Sequence, residues 1–283
     1  MEANDTDTIK KKRQYFVSRE GREVLRQIEE KLHRADALKG TEDEISIEIL
    51  RAEIIELLEA QIAQLNQTIN APAKSKNREV DRKVFPKAGE VLANTERIIL
   101  KVFDGADKED YLATVYEYST LKFQFDEDDF QERMWNEALE DNTFMCVIKD
   151  RDGKYLGYCG IKDLTEDDWE IAIELKSEFC GNGYGTESII LLMKKMAEIT
   201  EQRFFYAKVD IDNYASQAIM RKAGGYPDGL CEFLLHGNDI ELFQKENMHL
   251  IDDKIREVAY EFCVDPEDLL GYVLRYRFDM KVA

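Results

Sequence analysis

Phe179-Cys180-Gly181-Asn182-Gly183-Tyr184-Gly185-Thr186-Glu187 decides how the rest of the chain is read. The run before it, Ile171-Ala172-Ile173-Glu174-Leu175, has the texture of a strand, and Ser188 to Ile199 has the spacing of an amphipathic helix. Three glycines in five residues at a strand-to-helix junction let the backbone approach a ligand with no side chain in the way. The free amides of the next helix's first turn, with the helix dipole behind them, converge on the same place. A phosphate can be held there with neither a metal nor a lysine. The glycine spacing is not that of a dinucleotide fingerprint, and the Lys-Ser/Thr of a P-loop is missing. Taken alone, the stretch reads equally well as a plain turn.

The surrounding pattern is mixed α/β. Upstream, Arg97-Ile98-Ile99-Leu100-Lys101-Val102 is β-rich, and 108–118 and 127–140 read as helices. Residues 143–149 and 155–161 read as strands joined by an Asp152-Gly153 turn, and 169–175 as the strand that enters the glycine loop. Downstream come a strand at 204–210, a helix at 213–223 stopped by Gly224-Gly225, and a last strand at 230–235. Three domains are expected. Residues 1–90 form a helical hairpin and linker, with Ile47, Leu50, Ile54, Leu58, Ile62, Leu65 and Ile69 as one apolar stripe. Residues 91–237 form the α/β body. Residues 238–283 form a helical tail, whose last helix starts at Asp265-Pro266 and carries Leu269, Leu270, Val273 and Leu274. The helical extensions suit a homodimer contact or docking on the body.

Two motifs in this order resemble the GNAT superfamily of acetyl-CoA-dependent N-acetyltransferases. Cys180-Gly181-Asn182-Gly183-Tyr184-Gly185 is similar to the family's Arg/Gln-x-x-Gly-x-Gly/Ala pyrophosphate loop at Gly183 and Gly185. Asn213-Tyr214-Ala215-Ser216, followed by Arg221-Lys222-Ala223-Gly224-Gly225, looks like its Asn-x-x-Ser helix ending in Lys-x-Gly-Phe. The Thr186-Glu187 pair and the Arg97-Ile98-Ile99-Leu100 opening look most like the branch of the ribosomal-protein alanine acetyltransferases. The resemblance covers roughly 95–236. It implies a central, mostly antiparallel sheet flanked by helices, in which the strand before the loop splays from the strand at 204–210. The arm of acetyl-CoA would pair with the backbone of Leu175 to Ser177. Its pyrophosphate would sit on amides from Gly181 to Thr186, and Asn213 and Ser216 would bond the arm. Asn213 also reads simply as the helix N-cap.

The implied reaction transfers acetyl from the thioester to a primary amine: a protein N-terminus, a lysine or a small amine. The amine must first lose a proton, so a carboxylate is useful. Glu170 and Glu174 share one strand face by the period of two, and either serves as well as a solvated strand position. Two residues depart from the family: Cys180 stands where Arg or Gln is usual, and Met220 where many relatives carry the tyrosine that protonates the leaving thiolate. Gly225 replaces the usual Phe. These departures motivate a second expectation, a non-catalytic acyl-CoA sensor or scaffold.

Charge and cysteine usage narrow the classes. Residues 1–95 hold 17 Lys+Arg and 18 Asp+Glu, which leaves 22 and 41 for the rest, a net of −19. Such a body repels nucleic acid and anionic membranes and attracts amines. The five cysteines include no C-x-x-C pair and the three histidines are scattered, so no metal is expected. No apolar run nears the ~20 residues that span a bilayer. The acidic start Met1-Glu2-Ala3-Asn4-Asp5 has no signal core, and a cytoplasmic location is expected.

Overall fold

The computed structural model describes residues 81–120, 122–126 and 128–280, together with residues 27, 28, 30, 31, 33, 34, 38, 46 and 49–57. Most of the expected N-terminal hairpin and linker lies outside the described residues. Its described parts are mainly helical, and Lys31 and Glu53 form an ion pair between them.

The chain forms two compact units, each discontinuous in sequence: 74–209 with 213–225 and 276–283, and 1–73 with 210–212 and 226–275. The larger unit holds strands β1 (Val91–Asn94), β2 (Ile98–Val102), β3 (Phe144–Asp150), β4 (Tyr155–Lys162), β5 (Glu170–Leu175) and β6 (Phe204–Val209). The second half of β8 (Val273–Asp279) joins them, in the hydrogen-bonded order β1-β2-β3-β4-β5-β6-β8. The pairs from β1 to β5 are antiparallel and β5–β6 is parallel. Helices α1 (Lys108–Tyr118), α2 (Asp128–Ala138), α3 (Tyr184–Thr200) and α4 (Tyr214–Lys222) complete the unit.

Burial explains why the central strands lack a clean alternation. β3 and β4 are buried on both faces over most of their length, so both faces are apolar. Their hairpin turns at Gly153, whose φ is 84°. Asp150 Oδ1 fixes the turn by accepting from the amides of Asp152 and Lys154, at 3.0 and 2.8 Å. One face of the sheet carries α1 and α2 on an aromatic cluster of Phe103, Tyr111, Trp135, Tyr155 and Tyr158. Phe103 stacks on Trp135 with centroids 5.4 Å apart, and Tyr111 meets Tyr158 edge to face at 4.9 Å. α3 packs against β1, β2, β4 and β5, with Ile189, Leu192, Met193 and Met196 fully buried.

Several elements differ from the expectation. β1 is absent from the sequence reading, since four residues are too short a run to show a period. α3 begins at Tyr184, inside the glycine loop rather than after it. β7 spans Tyr226–Cys231, four residues earlier than expected. The tail forms α5 (Asn238–Asn247), α6 (Asp253–Phe262) and the short α7 (Pro266–Leu269), but it ends on a strand. Gly271, at φ 86°, turns the chain. Leu274, Tyr276 and Phe278 then point inward at every second residue, so the pattern read as helix is β8. In the smaller unit the first half of β8 lies beside β7, and Arg275 bonds Asp228 at 2.7 Å.

β8 also accounts for Gly225. The Phe278 ring lies over it, so that a Cβ on Gly225 would sit 2.7 Å from two ring carbons. The aromatic side chain missing after α4 is supplied from the chain's last strand.

Candidate active site

β5 is open along part of its outer edge. It pairs with β6 at Glu170↔Tyr206, where the Tyr206 amide donates to the Trp169 carbonyl at 2.9 Å. From there the two strands diverge, which is the expected splay. On its inner edge β5 pairs with β4 from Glu170 to Leu175. The Lys176 amide donates inward to the Leu156 carbonyl at 3.0 Å. The 175–176 peptide is trans, so the Leu175 carbonyl points outward, to the open edge. Gly157 brings β4 tight against this end: a Cβ there would lie 2.2 Å from the Glu174 carbonyl oxygen.

The open edge leads into the glycine loop. Gly181 and Gly183 have φ of 78° and 83°, and an added Cβ at Gly181 would meet nothing within 4 Å. Gly183 is the N-cap of α3, so the amides that follow are those of a first helical turn. These features fit a pyrophosphate group: bare backbone, open space and a helix N-terminus. Gly185 has a different purpose. A Cβ there would lie 3.0 Å from Ile219 and 3.5 Å from Leu175, so this glycine lets α3 sit close to α4 and β5.

The polar side chains of the loop are turned to internal partners. Asn182 Nδ2 donates to the carbonyls of Phe179 and Cys180 at 3.3 and 3.2 Å. Arg97 Nη2 donates to the Asn182 carbonyl at 2.8 Å, its guanidinium lies 4.5 Å over the Tyr184 ring, and Nη1 is 3.4 Å from Glu187. Thr95 donates to the other oxygen of Glu187 at 2.5 Å. Arg97, Thr95 and Glu187 are thus one assembly that braces the loop from the turn that leads into β2. Beside it lies a cleft of about 500 Å³ lined by Arg97, Glu187, Ile190, Leu191, Lys194 and Lys222. Asn213 caps α4, accepting from the Ser216 amide at 3.0 Å, which is the simpler of its two expected roles.

The two candidate carboxylates have unlike surroundings. Glu170 is paired with Lys208 of β6 at 2.5 Å. Glu174 stands opposite Tyr158 in the β4–β5 register. Its Oε2 is buried and has no hydrogen-bond partner. Burial pushes the Glu174 carboxyl above its ordinary value; the Tyr158 phenol and the Lys162 charge oppose this. Burial also raises the neighbouring phenols, with Tyr111 pushed up to about 12.

Sequence reasoning missed the contribution of α1. Its last turn reaches β5 and the residues beyond it: the Tyr118 hydroxyl donates to the Leu175 carbonyl at 2.7 Å, and Glu117 Oε1 accepts from the Ser177 amide at 3.2 Å. Asp110, one turn into the helix, pairs with Lys176 at 3.2 Å. Cys180, exposed at the start of the loop, has its sulfur 3.7 Å from the Tyr118 hydroxyl and from the Lys176 carbonyl. Helical spacing marks Tyr118 only as a surface position, and nothing local signals its partner 57 residues away. Tyr158 was hidden for a similar reason, because only the strand register places it on Glu174.

Residues 97–225 match the acetyltransferase (GNAT) domain family. A curated Bacillus subtilis (strain 168) protein named as a candidate ribosomal protein bS18-alanine N-acetyltransferase is 26% identical over 100 residues. The aligned part is 35% of this chain and 66% of that relative, just under two thirds of its length. Two solved structures from Vibrio cholerae are also similar. A candidate ribosomal-protein-serine acetyltransferase is 12% identical with a TM-score of 0.46, covering 69% of this chain and all of its own. A spermidine N-acetyltransferase in complex with CoA and spermine is 13% identical with a TM-score of 0.45, covering 65% and 96%. Among the described residues no helix is long and apolar enough to cross a membrane.

Proposed function

We propose that this domain transfers an acetyl group from acetyl-CoA to a primary amine, with Glu174 accepting the proton that the amine must lose. The observation that carries the reading is the state of that carboxylate. Glu174 faces Tyr158 across the β4–β5 register, and its Oε2 is buried without a hydrogen-bond partner, next to the open edge of β5. A buried acceptor left unsatisfied costs stability, and a substrate N–H offers the missing donor. A carboxyl raised by burial is also closer in proton affinity to the group it must deprotonate.

Acetyl-CoA supplies the activated acyl group. The bare amides from Gly181 to Thr186 hold its pyrophosphate, and the edge from Leu175 to Ser177 holds its arm. Glu174 takes the first proton, the neutral amine attacks the thioester carbon, and the carbon–sulfur bond breaks; the second proton that the nitrogen sheds passes through solvent to the departing thiolate, giving the amide and free CoA thiol. Glu170, already ion-paired, holds β5 to β6 at the closed end of the splay. The acidic body draws a cationic amine toward the site. A protein N-terminus, a lysine and a polyamine all satisfy this chemistry. The ribosomal-protein branch of the relatives favours the first.

The test is release of free CoA from acetyl-CoA across a panel of amines: spermidine, lysine peptides, and peptides beginning with alanine or serine. Turnover on one class, abolished in Glu174→Gln and retained in Glu170→Gln, is expected. Equal activity in Glu174→Gln and the parent would overturn the role of Glu174. The second reading, a domain that holds acyl-CoA without turnover, is favoured by Met220. It is only 3% exposed and cannot donate a proton to a thiolate. Tight acetyl-CoA binding with no CoA release on any amine would select it.

A further inference from the structure

The outer edge of β5 is not bare at the end nearest the loop. We propose that the last turn of α1 is a removable cover on the site for the acetyl-CoA arm, with Tyr118 and Glu117 filling the backbone groups that the arm must claim. The inference rests on the acetyl-CoA reading above and concerns the regulation of that same site.

Three observations carry it. First, the divergence of β5 from β6 leaves the outward Leu175 carbonyl without a strand partner, and it is satisfied instead by the Tyr118 hydroxyl at 2.7 Å. Second, the Ser177 amide, the next outward donor, is satisfied by the Glu117 carboxylate at 3.2 Å. One acceptor and one donor are therefore taken in sequence by neighbouring side chains of one turn. An added strand, or an arm that carries amides, would take the same pair. Third, the cover is peripheral. Tyr118 is 48% exposed and is the final residue of α1, where the helix ends with Ser119 in an extended conformation. The last turn of a helix opens at the lowest free energy, and both contacts are side-chain bonds that rotate away without breaking the sheet.

Backbone groups at a sheet edge do not remain unpaired at low cost. In the free protein the cover satisfies them and keeps other extended segments from adding to the edge. Binding then exchanges two internal hydrogen bonds for two with the arm, so affinity is lower than it would be for a bare edge. The same exchange frees the phenol of Tyr118 and the carboxylate of Glu117 beside the loop, and it couples the end of α1 to occupancy.

Calorimetric titration of the full chain with acetyl-CoA, for the parent, Tyr118→Phe, Glu117→Gln and the double variant, tests the cover. Amide hydrogen exchange across 113–121 is measured alongside, with and without acetyl-CoA, and circular dichroism checks each fold. Removing one competing hydrogen bond is expected to tighten acetyl-CoA binding roughly 2- to 10-fold. The double variant is expected to bind tightest. Saturation of the parent should speed exchange at the end of α1. Weaker binding by Tyr118→Phe would overturn the proposal and assign the phenol to the ligand. Unchanged affinity in both single variants, with unchanged exchange, would show that the cover stays in place. If the parent shows no binding but the double variant binds, the cover is upheld in its strongest form. If neither binds, the acetyl-CoA reading falls and takes this inference with it.

Discussion

The two ends of β5 carry the same kind of residue in opposite states. At the end paired with β6, Glu170 lies in an ion pair with Lys208 and its charge is matched. Four residues on, along the same face, Glu174 stands opposite Tyr158 with one oxygen unmatched. Sequence spacing makes the two equivalent. The divergence of the strands separates them, because a neighbouring strand supplies a counter-charge at one end and is missing at the other. Where the sheet is complete the carboxylate has a counter-charge, and where it opens one carboxylate oxygen is left without a partner.

Exchanging the two roles is the strongest way to break this contrast. Glu174→Gln is expected to lower the rate of acetyl transfer by about 10²–10⁴, the usual worth of a general base. Glu170→Gln should cost less than about tenfold. Comparable losses in both, measured as kcat with acetyl-CoA saturating, would erase the distinction. Next in size is Tyr158→Phe. Its hydroxyl lowers the Glu174 carboxyl, so without it the acidic limb of the pH–rate profile should move to higher pH. The rate below that limb should fall about tenfold while the dissociation constant for acetyl-CoA stays the same. A profile that does not move would show that Tyr158 only fills space.

A stability measurement sharpens the same comparison. The carboxyl of Glu174 is raised in the folded state, so the folded protein binds its proton more readily than the unfolded chain does. Its contribution therefore favours folding at low pH and turns unfavourable as pH rises through the raised value. Glu174→Gln removes the penalty and should raise Tm at pH 7–8, with the gain shrinking toward pH 4. A gain that does not depend on pH would point to packing instead. The smallest effect is expected from Glu170→Ala, about 1 kcal/mol or less in denaturant unfolding, since the pair with Lys208 is partly exposed.

Much of the larger unit was legible before its structure. The glycine loop, the strand before it, the Asn213 cap and the strand-helix order each have a local chemical cause, such as a glycine, a capping side chain or a period of two or 3.6. The face shared by Glu170 and Glu174 was legible for the same reason. What stayed hidden depends on partners far apart in the chain. The start of β8 reads as helix because Leu269, Leu270, Val273 and Leu274 are spaced as one helical face, although the short helix ends at Leu269 and the strand begins at Val273; only the place of 273–279 in the sheet shows this. Arg97 was seen as a signature, but its bond to the Asn182 carbonyl and its ring contact with Tyr184 needed the fold. The reach of Tyr118 across to Leu175 left no trace in composition or spacing.

Phe278 over Gly225 has a consequence for the order of folding. Packing that an adjacent aromatic residue would give within one turn of α4 is here made by a residue 53 positions later. The end of α4 therefore stays uncovered until β8 has docked beside β6, and a contact that would have been local becomes a closure over a long segment. Such closures add only slowly to the entropic cost, but they delay the transition state. A fragment cut after Gly225, where the family match ends, keeps both acidic residues and the glycine loop. It lacks the strand that seals β6, and we expect that exposed edge to drive self-association rather than an isolated working domain.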